Sequence, residues 1–422
     1  MEQIKIKGGK TLSGEIQIGG AKNSVVALIP AALLAEGKTV IENVPNITDR
    51  DALFNIVRAL GVDVSMNGTV VDIDSTNIKN VEISESLSKK LRASYYFMGV
   101  LLAKYKHVEM YFPGGCNIGA RPIDLHLKGF EALGAVVTHD EDTHKYTLDA
   151  KELKGANIHL DFASVGATIN IMFAASRAKG RTVIENAAKE TEIINIADFL
   201  NKMGANIKGA GTSTIEIIGV DEMHSASISV IPDRIEAGTY LILGALIGNN
   251  LTVCGVNPDH ITAVLNKFSD MGINYSINDG KITISKTANI KPINITTLVY
   301  PGFPTDLGQP MSVLLTQAEG DSYFEETIWE NRMQHVEYLN KMGANIELKD
   351  NSHAIIHGKT KLHGASINAT DLRGGAALVV AGLVAEGDTV ISNIEYILRG
   401  YENLILKLKN VGADIQIIND EE

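Results

Sequence analysis

An apolar residue followed by glycine returns at Gly61, Gly134, Gly204, Gly272, Gly343 and Gly412, at spacings of 73, 70, 68, 71 and 69 residues. That interval restricts the fold more than any other feature of the chain. A second phrase repeats between these points, as Ala35-Glu36-Gly37-Lys38-Thr39-Val40-Ile41-Glu42-Asn43, again from Ala178 to Asn186, and again from Ala385 to Asn393. Weaker copies stand at Ala318-Glu319-Gly320-Asp321 and Ile247–Val253, with a degenerate one from Ala103 to Val108. Each copy reads alike: an apolar helix stopped by glycine, a β-branched strand, an amphipathic helix, then alternating strands. Six α+β units predict two α/β domains of three units each. A linear solenoid is the competing arrangement, but its repeats usually run about 20 to 47 residues.

The repeat also indicates where function gathers. Fourteen residues before Gly248, Gly320 and Gly387 stand Arg234, Asp306 and Arg373, and fourteen before Gly180 stands Gly166. Fifteen before Gly37 stands Lys22, and Arg92 is the counterpart in the degenerate unit. These are predicted helix starts, where unpaired N–H groups and the helix dipole attract anions. A lysine or arginine there opposes the dipole, and a bound anion would offset that. One such residue would read as a solvated side chain; four at equivalent positions favour an anion site.

Composition narrows the class. The 422 residues are 45% apolar, carry a net charge of −12 and include two cysteines, Cys116 and Cys254. The acidic balance argues against general nucleic-acid binding, and the cysteine count against a disulfide framework. No apolar run approaches the roughly 20 residues of a membrane span, and the first residues do not resemble a signal peptide. A cytoplasmic protein without a membrane or obligatory protein partner is expected. Cys254 reads as a small buried hydrophobe. Cys116 lies instead in Pro113-Gly114-Gly115-Cys116-Asn117-Ile118-Gly119-Ala120-Arg121-Pro122, where glycines disfavour a regular core and an arginine favours thiolate. No cysteine or histidine spacing suggests a metal, and His126 reads as structural.

The Cys116 loop strongly resembles the catalytic loop of the UDP-N-acetylglucosamine 1-carboxyvinyltransferase family of enolpyruvyl transferases. The blocks Gly19–Asn23, Leu91–Ser94, Ser164–Thr168, Pro232–Glu236, Tyr300–Asp306, Glu330–Arg332, Asp371–Arg373 and Arg399–Glu402 follow in the family's order along essentially the whole chain. The resemblance implies two inside-out α/β barrels, each of three βαβαββ units, with the active site between them. One would span 21–231, and the other 1–20 with 232–422, the N-terminal strand returning to complete it. It further implies transfer of the enolpyruvyl group of phosphoenolpyruvate to the 3′-hydroxyl of UDP-N-acetylglucosamine, a step of peptidoglycan synthesis, without cofactor or metal. Cys116 would protonate C3 and be the residue alkylated by fosfomycin, Asp306 would take the hydroxyl proton, and Lys22 and Asn23 would hold the reacting centre. Lys22, Asn23, Arg92, Arg121, Arg332, Arg373 and Arg399 would bind phosphoenolpyruvate. The nucleotide sugar would meet Arg92, Arg121, Pro122, Ile123, Asp124, Leu125, Ser164, Val165, Gly166, Asp306 and Ile328.

Two positions depart from the family pattern. Phe162-Ala163 stands where many relatives have lysine before Ser164, and Gly308 where glutamine is usual. Other readings are the shikimate 3-phosphate enolpyruvyl transferase, which lacks the cysteine; a non-catalytic nucleotide-sugar-binding repeat protein; and a thiol hydrolase, for which no histidine or asparagine partner is evident. Asp306 itself could be an ordinary capping aspartate.

Overall fold

The computed structural model describes residues 2–114, 118 and 122–419. Cys116 and Arg121 lie outside the described residues. The chain divides into two compact units, one built from the residues before Gly20 and those from Pro232 onward together with Ile118, the other from the rest of Gly20 to Ile231. Gly20, expected with the first segment, packs within the second unit. A Cβ there would lie 2.0 Å from the Asn43 carbonyl oxygen and 3.0 Å from Val230.

Within each unit the repeats take one form. The sheet of Asn157–His159, Arg181–Glu185, Thr214–Ile218 and Asn206–Lys208 shows it: the first pair is parallel, the others antiparallel. The crossover between the parallel strands is α3 in the numbering below, and the hairpin follows an amphipathic helix, Thr191–Lys202. The same order recurs with Ser227–Ser229 beside Lys38–Glu42, Leu12–Gln17 beside Gly248–Cys254, Ile295–Thr296 beside Asp321–Glu325, and Ser366–Asn368 beside Asp388–Ser392. The unit with the degenerate phrase departs: His107–Tyr111, Lys145–Asp149 and Val136–Asp140 form three strands, and a single parallel bridge from Ile83 to Met110 stands for the fourth.

The six buried helices, each leading into the second strand of its sheet, are α1 (Lys22–Ala31), α2 (Tyr96–Tyr105), α3 (Val165–Ala175), α4 (Arg234–Ile247), α5 (Gly308–Leu315) and α6 (Leu372–Val384). They are not amphipathic. All 14 residues of α4 and all 8 of α5 are buried. A helix apolar all round must be enclosed, and the strands enclose it with one face. Arg181–Glu185 is exposed at both ends and buried at its three central residues, and in Asp388–Ser392 the buried Thr389 and Ile391 alternate with exposed or half-buried neighbours. Helices inside and sheets outside make each unit an inside-out α/β barrel with its own apolar core.

The glycine of the first repeated phrase follows the amphipathic helix at every copy. Gly61, Gly134, Gly204, Gly272, Gly343 and Gly412 have φ of 77°, 101°, 102°, 75°, 96° and 101°, the left-handed turn that ends a helix without a Cβ clash. Asn43, Asn186 and Asn393, which close the second phrase, also have positive φ, at 58°, 55° and 58°. Asn43 and Asn186 donate from Nδ2 to the carbonyls of Val230 and Leu160, at 2.9 and 2.8 Å, at the end of the parallel edge strand.

The tightest joint between strand and helix is Gly219, where a Cβ would lie 1.5 Å from the Ala178 carbonyl oxygen. Gly219→Ala should destabilise its unit by about 3 kcal/mol or more. Gly68→Ala, at φ +60° with nothing within 4 Å, should cost only about 1 kcal/mol. Urea unfolding of the two variants should rank them in that order, and equal losses would contradict the packing described.

Candidate functional site

In the unit that contains α4, α5 and α6, the starts of the buried helices carry most of the predicted residues. Asp233 caps α4, its Oδ1 accepting from the N–H groups of Ile235 and Glu236 at 2.9 and 3.0 Å. Asp371 caps α6 in the same way through Arg373 and Gly374, at 2.9 and 3.0 Å. Asp306 stands in a 3₁₀ turn, Thr305–Leu307, that leads into α5. Its carboxylate is gripped from both sides: Oδ1 lies 2.7 Å from Arg332 Nη2 and Oδ2 lies 3.3 Å from Arg373 Nη2. The arginine side chains are 5% and 3% exposed, the aspartate 23%. Asp306 is therefore the solvent-facing member of a buried cluster, and the capping that sequence allowed it falls at α4 and α6 to Asp233 and Asp371.

Burial opposes the charge on Arg373, but Asp306, Tyr401 and Asp233 outweigh it, and the guanidinium is held above its ordinary pKa. Since Asp233 begins α4 and Asp306 precedes α5, the starts of all three buried helices bear on one cation. The guanidinium of Arg373 also lies over the Tyr401 ring, 5.4 Å from its centroid, and the Tyr401 hydroxyl is 2.9 Å from Thr239 Oγ1. Arg234 lies over the Tyr300 ring at 5.3 Å. Beside it a cavity of about 230 Å³ is lined by Ile235, His260, Pro301 and Leu307 among others.

Several supports of this cluster were not singled out from sequence. Glu326 is buried, its Oε2 accepting from Thr305 Oγ1 at 2.8 Å and its Oε1 from the N–H groups of Ile328 and Trp329 at 2.8 and 3.2 Å. Thr305 Oγ1 in turn accepts from Arg332 Nη1 at 2.8 Å. One carboxylate thus shapes both the Asp306 turn and the backbone at Ile328. Gln309 donates to the Arg332 carbonyl and to Asp371 Oδ2, at 3.2 and 3.0 Å. No repeat or motif marked Glu326; the position of Gln309, one helical turn past Asp306, was its only signal. The departure at Gly308 has a packing reason. A Cβ there would lie 2.8 Å from Cζ of Phe324, so the ring fills the space a side chain would need.

The other unit gathers a second set. Lys22 begins α1 and pairs with Asp49 at 3.1 Å, both largely buried; Asn23 follows it, half-buried. The charge that opposes the helix dipole at Lys22 is therefore offset within the protein, as it is at Arg373. Arg92 opens a 3₁₀ turn, Arg92–Tyr95, before α2. Its Nη1 donates to the Pro113 carbonyl at 3.3 Å, and the guanidinium lies 5.0 Å from the centroid of Phe112. Ser164 caps α3, its Oγ accepting from Ala167 N–H at 3.2 Å. Gly166 then has no room for a side chain: a Cβ would lie 2.7 Å from the Tyr95 hydroxyl and 2.9 Å from Cε1 of His126.

His126 is buried, and the wiring around it fixes its proton. The amide of Asn170 accepts from Gly99 N–H at 3.0 Å and donates to the Tyr95 carbonyl at 3.0 Å. Its Nδ2 therefore also donates to His126 Nδ1, 2.8 Å away, and the imidazole proton sits on Nε2. Burial, assisted by Arg92, lowers the His126 pKa to about 3.

Pro122 and Ile123 precede the helix Asp124–Ala132, which begins with Asp124 and Leu125. Phe162 is 46% exposed, and the neighbouring Asp161 pairs with Lys128 at 3.0 Å. Arg399 follows the short helix Glu395–Leu398 and is half-buried. Cys254 is buried, which pushes its thiol pKa up. Among the described residues no three histidine, cysteine or carboxylate side chains are grouped to hold a metal, and no helix is long and apolar enough to cross a membrane.

Comparison with known proteins places this geometry. UDP-N-acetylglucosamine 1-carboxyvinyltransferase 2 of Staphylococcus aureus strain MRSA252 is 51% identical over 414 residues, 98% of each chain. The protein of the same name from Listeria monocytogenes serovar 1/2a is 51% identical over 98% of this chain and 97% of its own. Among solved structures, the enolpyruvyl transferase NikO from Streptomyces tendae superposes with a TM-score of 0.91 at 24% identity, over 100% of this chain and 99% of that one. EPSP synthase from Acinetobacter baumannii gives 0.74 at 20% identity, over 99% and 100%. The family described as EPSP synthase (3-phosphoshikimate 1-carboxyvinyltransferase) matches residues 6–408. The chain belongs to this enolpyruvyl transferase family, and within it to the group of the UDP-N-acetylglucosamine 1-carboxyvinyltransferases.

Proposed function

We propose that the protein transfers the enolpyruvyl group of phosphoenolpyruvate to the 3′-hydroxyl of UDP-N-acetylglucosamine, releasing phosphate, as a cytoplasmic step of peptidoglycan synthesis. The observation that carries this is the 51% identity, over 98% of the chain, to proteins named for that reaction. The shikimate 3-phosphate reaction is supported only by the family description and by the fold likeness at 20% identity.

The chemistry needs a base at the sugar hydroxyl, an acid over C3 and cations around phosphate and carboxylate. The hydroxyl oxygen bonds to C2 while C3 gains a proton. That proton site is then deprotonated as the C2–O bond to phosphate breaks. On this reading Asp306 takes the hydroxyl proton, and its exposed edge beside two buried guanidinium groups suits an ionised carboxylate that must meet substrate. Cys116 donates to C3. Lys22, Asn23, Arg92, Arg121, Arg332, Arg373 and Arg399 supply the polar contacts to phosphoenolpyruvate. The start of α3, with Ser164, Val165 and Gly166, takes the nucleotide sugar together with residues 121–125 and Ile328. His126 stays outside the proton chemistry, since burial keeps it neutral.

Phosphate release should require UDP-N-acetylglucosamine, fail with shikimate 3-phosphate, and survive excess chelator. Asp306→Asn should lower kcat by about a hundredfold or more while the affinity for nucleotide sugar changes little. Normal turnover with weakened binding would make Asp306 a binding group instead.

Cys116→Ser should lose most activity, because a hydroxyl is a far weaker acid than a thiol of pKa near 8.5. Cys116→Asp should keep appreciable activity with a shifted pH optimum and resist fosfomycin. Mass spectrometry of the wild type treated with that epoxide should find one adduct, on Cys116. An adduct on Cys254 would remove Cys116 from the role.

The buried His126 also sets a stability profile. Its pKa is about 3 when folded against 6.5 ordinarily, so the unfolded chain binds the extra proton between those values. The stability it contributes is present above pH 6.5 and is lost as pH falls toward 3. Urea midpoints between pH 7 and 5 should fall less steeply for His126→Gln, which keeps an acceptor for Asn170, than for the wild type. Equal slopes would show that His126 titrates normally.

A further inference from the structure

We propose that Gln309 is a positioning residue for Asp306, acting through both arginines that hold it. The inference rests on the reading of Asp306 as the base. Gln309 is 2% exposed, lies one helical turn past Asp306 in α5, and directs its side-chain bonds to residues other than Asp306. Its Nε2 donates twice. One bond, of 3.2 Å, goes to the carbonyl of Arg332, which holds Asp306 Oδ1. The other, of 3.0 Å, goes to Oδ2 of Asp371, whose Oδ1 caps the helix that carries Arg373, the holder of Asp306 Oδ2. A single amide nitrogen therefore ties together the backbone of one arginine and the helix start of the other.

Core stability alone does not account for an amide at this place. Gln309 Oε1 is buried and has no hydrogen-bond partner among the described residues, an arrangement that disfavours folding relative to an apolar side chain of the same length. What an apolar side chain lacks is the pair of N–H donors. A glutamate would lack them too, and would set a second carboxylate against Asp371. The amide is suited to fixing the separation of the two guanidinium groups, and with it the direction in which Asp306 faces substrate. A base must lie within about 3.2 Å of the proton it takes, so a small relaxation of either arginine suffices to lower the rate.

Gln309→Met keeps the volume and removes both donors. With phosphoenolpyruvate and UDP-N-acetylglucosamine, kcat for phosphate release should fall about tenfold or more. KM and the calorimetric Kd for UDP-N-acetylglucosamine should stay within about threefold, and the thermal midpoint should fall by only a few degrees, because losing the orphaned carbonyl partly offsets the two acceptors left without their donor. In single-turnover measurements the substitution should have little further effect in an Asp306→Asn background, since a residue that acts through Asp306 has nothing left to position. Wild-type kcat in Gln309→Met, with Asp306→Asn inactive, would overturn this inference and leave the base assignment standing. A parallel loss of kcat, nucleotide affinity and thermal midpoint would overturn it in favour of a packing role. An equal rate loss with and without the Asp306 carboxylate would do the same. Full turnover by Asp306→Asn would remove the base assignment and this inference together.

Discussion

The helices at the centre of each unit have no polar side, and the rest of the structure follows from that. A helix such as α4, buried along its whole length, can be stable only when enclosed on every side. The sheets supply the enclosure with their single apolar faces, which leaves their outer faces in water and turns the usual barrel inside out. Once the flanks of a helix are sealed, its ends are the only places where polar groups reach a surface. The repeat sets equivalent helices in equivalent settings, so in the unit of α4, α5 and α6 the three N-terminal ends come together around Arg373. The cluster at this site follows from apolar packing.

Gathering helix starts gathers partial positive charge, yet this is where the chain places Lys22, Arg234 and Arg373. The structure reconciles the two with carboxylates. Asp233 and Asp371 cap their helices and face the same cluster, Asp49 pairs with Lys22, and Asp306 lies between two guanidinium groups. Removing one partner from such a cluster leaves a buried charge exposed to its neighbours' repulsion, which is why isolated substitutions there act well beyond the single contact. These charges hold one another in place, so the cluster presents a preformed field.

Much of this architecture was legible in the sequence because it depends on periodic features. Glycines such as Gly204 and Gly343 mark a backbone conformation that few other residues adopt, so their spacing reported the repeat directly. The charged residues at helix starts were found by counting back from Gly248 and Gly387, since the length of a buried helix is set by the sheet it crosses. Glu326 escaped because its role lies in two backbone N–H groups and a threonine hydroxyl, and no periodic pattern records such contacts. Asp306 was ambiguous for a related reason. An aspartate near a helix start is usually a cap, and only the three-dimensional placement of Arg332, from later in the same repeat, and Arg373, from the next, gives its carboxylate a different occupation. Gly308 looked like an irregularity until Phe324 was seen to fill the space.

The first strand of the chain, Glu2–Lys7, lies between Asp388–Ser392 and Asp414–Asn419, so Ile4 pairs with Ile391 on one side and Ile417 on the other. During synthesis, then, Glu2–Lys7 must wait for Asp388–Ser392 and Asp414–Asn419 to leave the ribosome before their sheet can close. The stretch from Gly20 to Ile231 has no such dependence, because its sheets draw on its own residues alone, and it can complete its core while the remainder is still being made. The second strand, Leu12–Gln17, waits a shorter time, until Gly248–Cys254 emerges. A protein assembled from repeated modules is thus given a definite order of completion by the two strands Glu2–Lys7 and Leu12–Gln17. Until those partners arrive, the apolar stripe of Ile4 and Ile6 lies on an unpaired strand open to pairing with another chain.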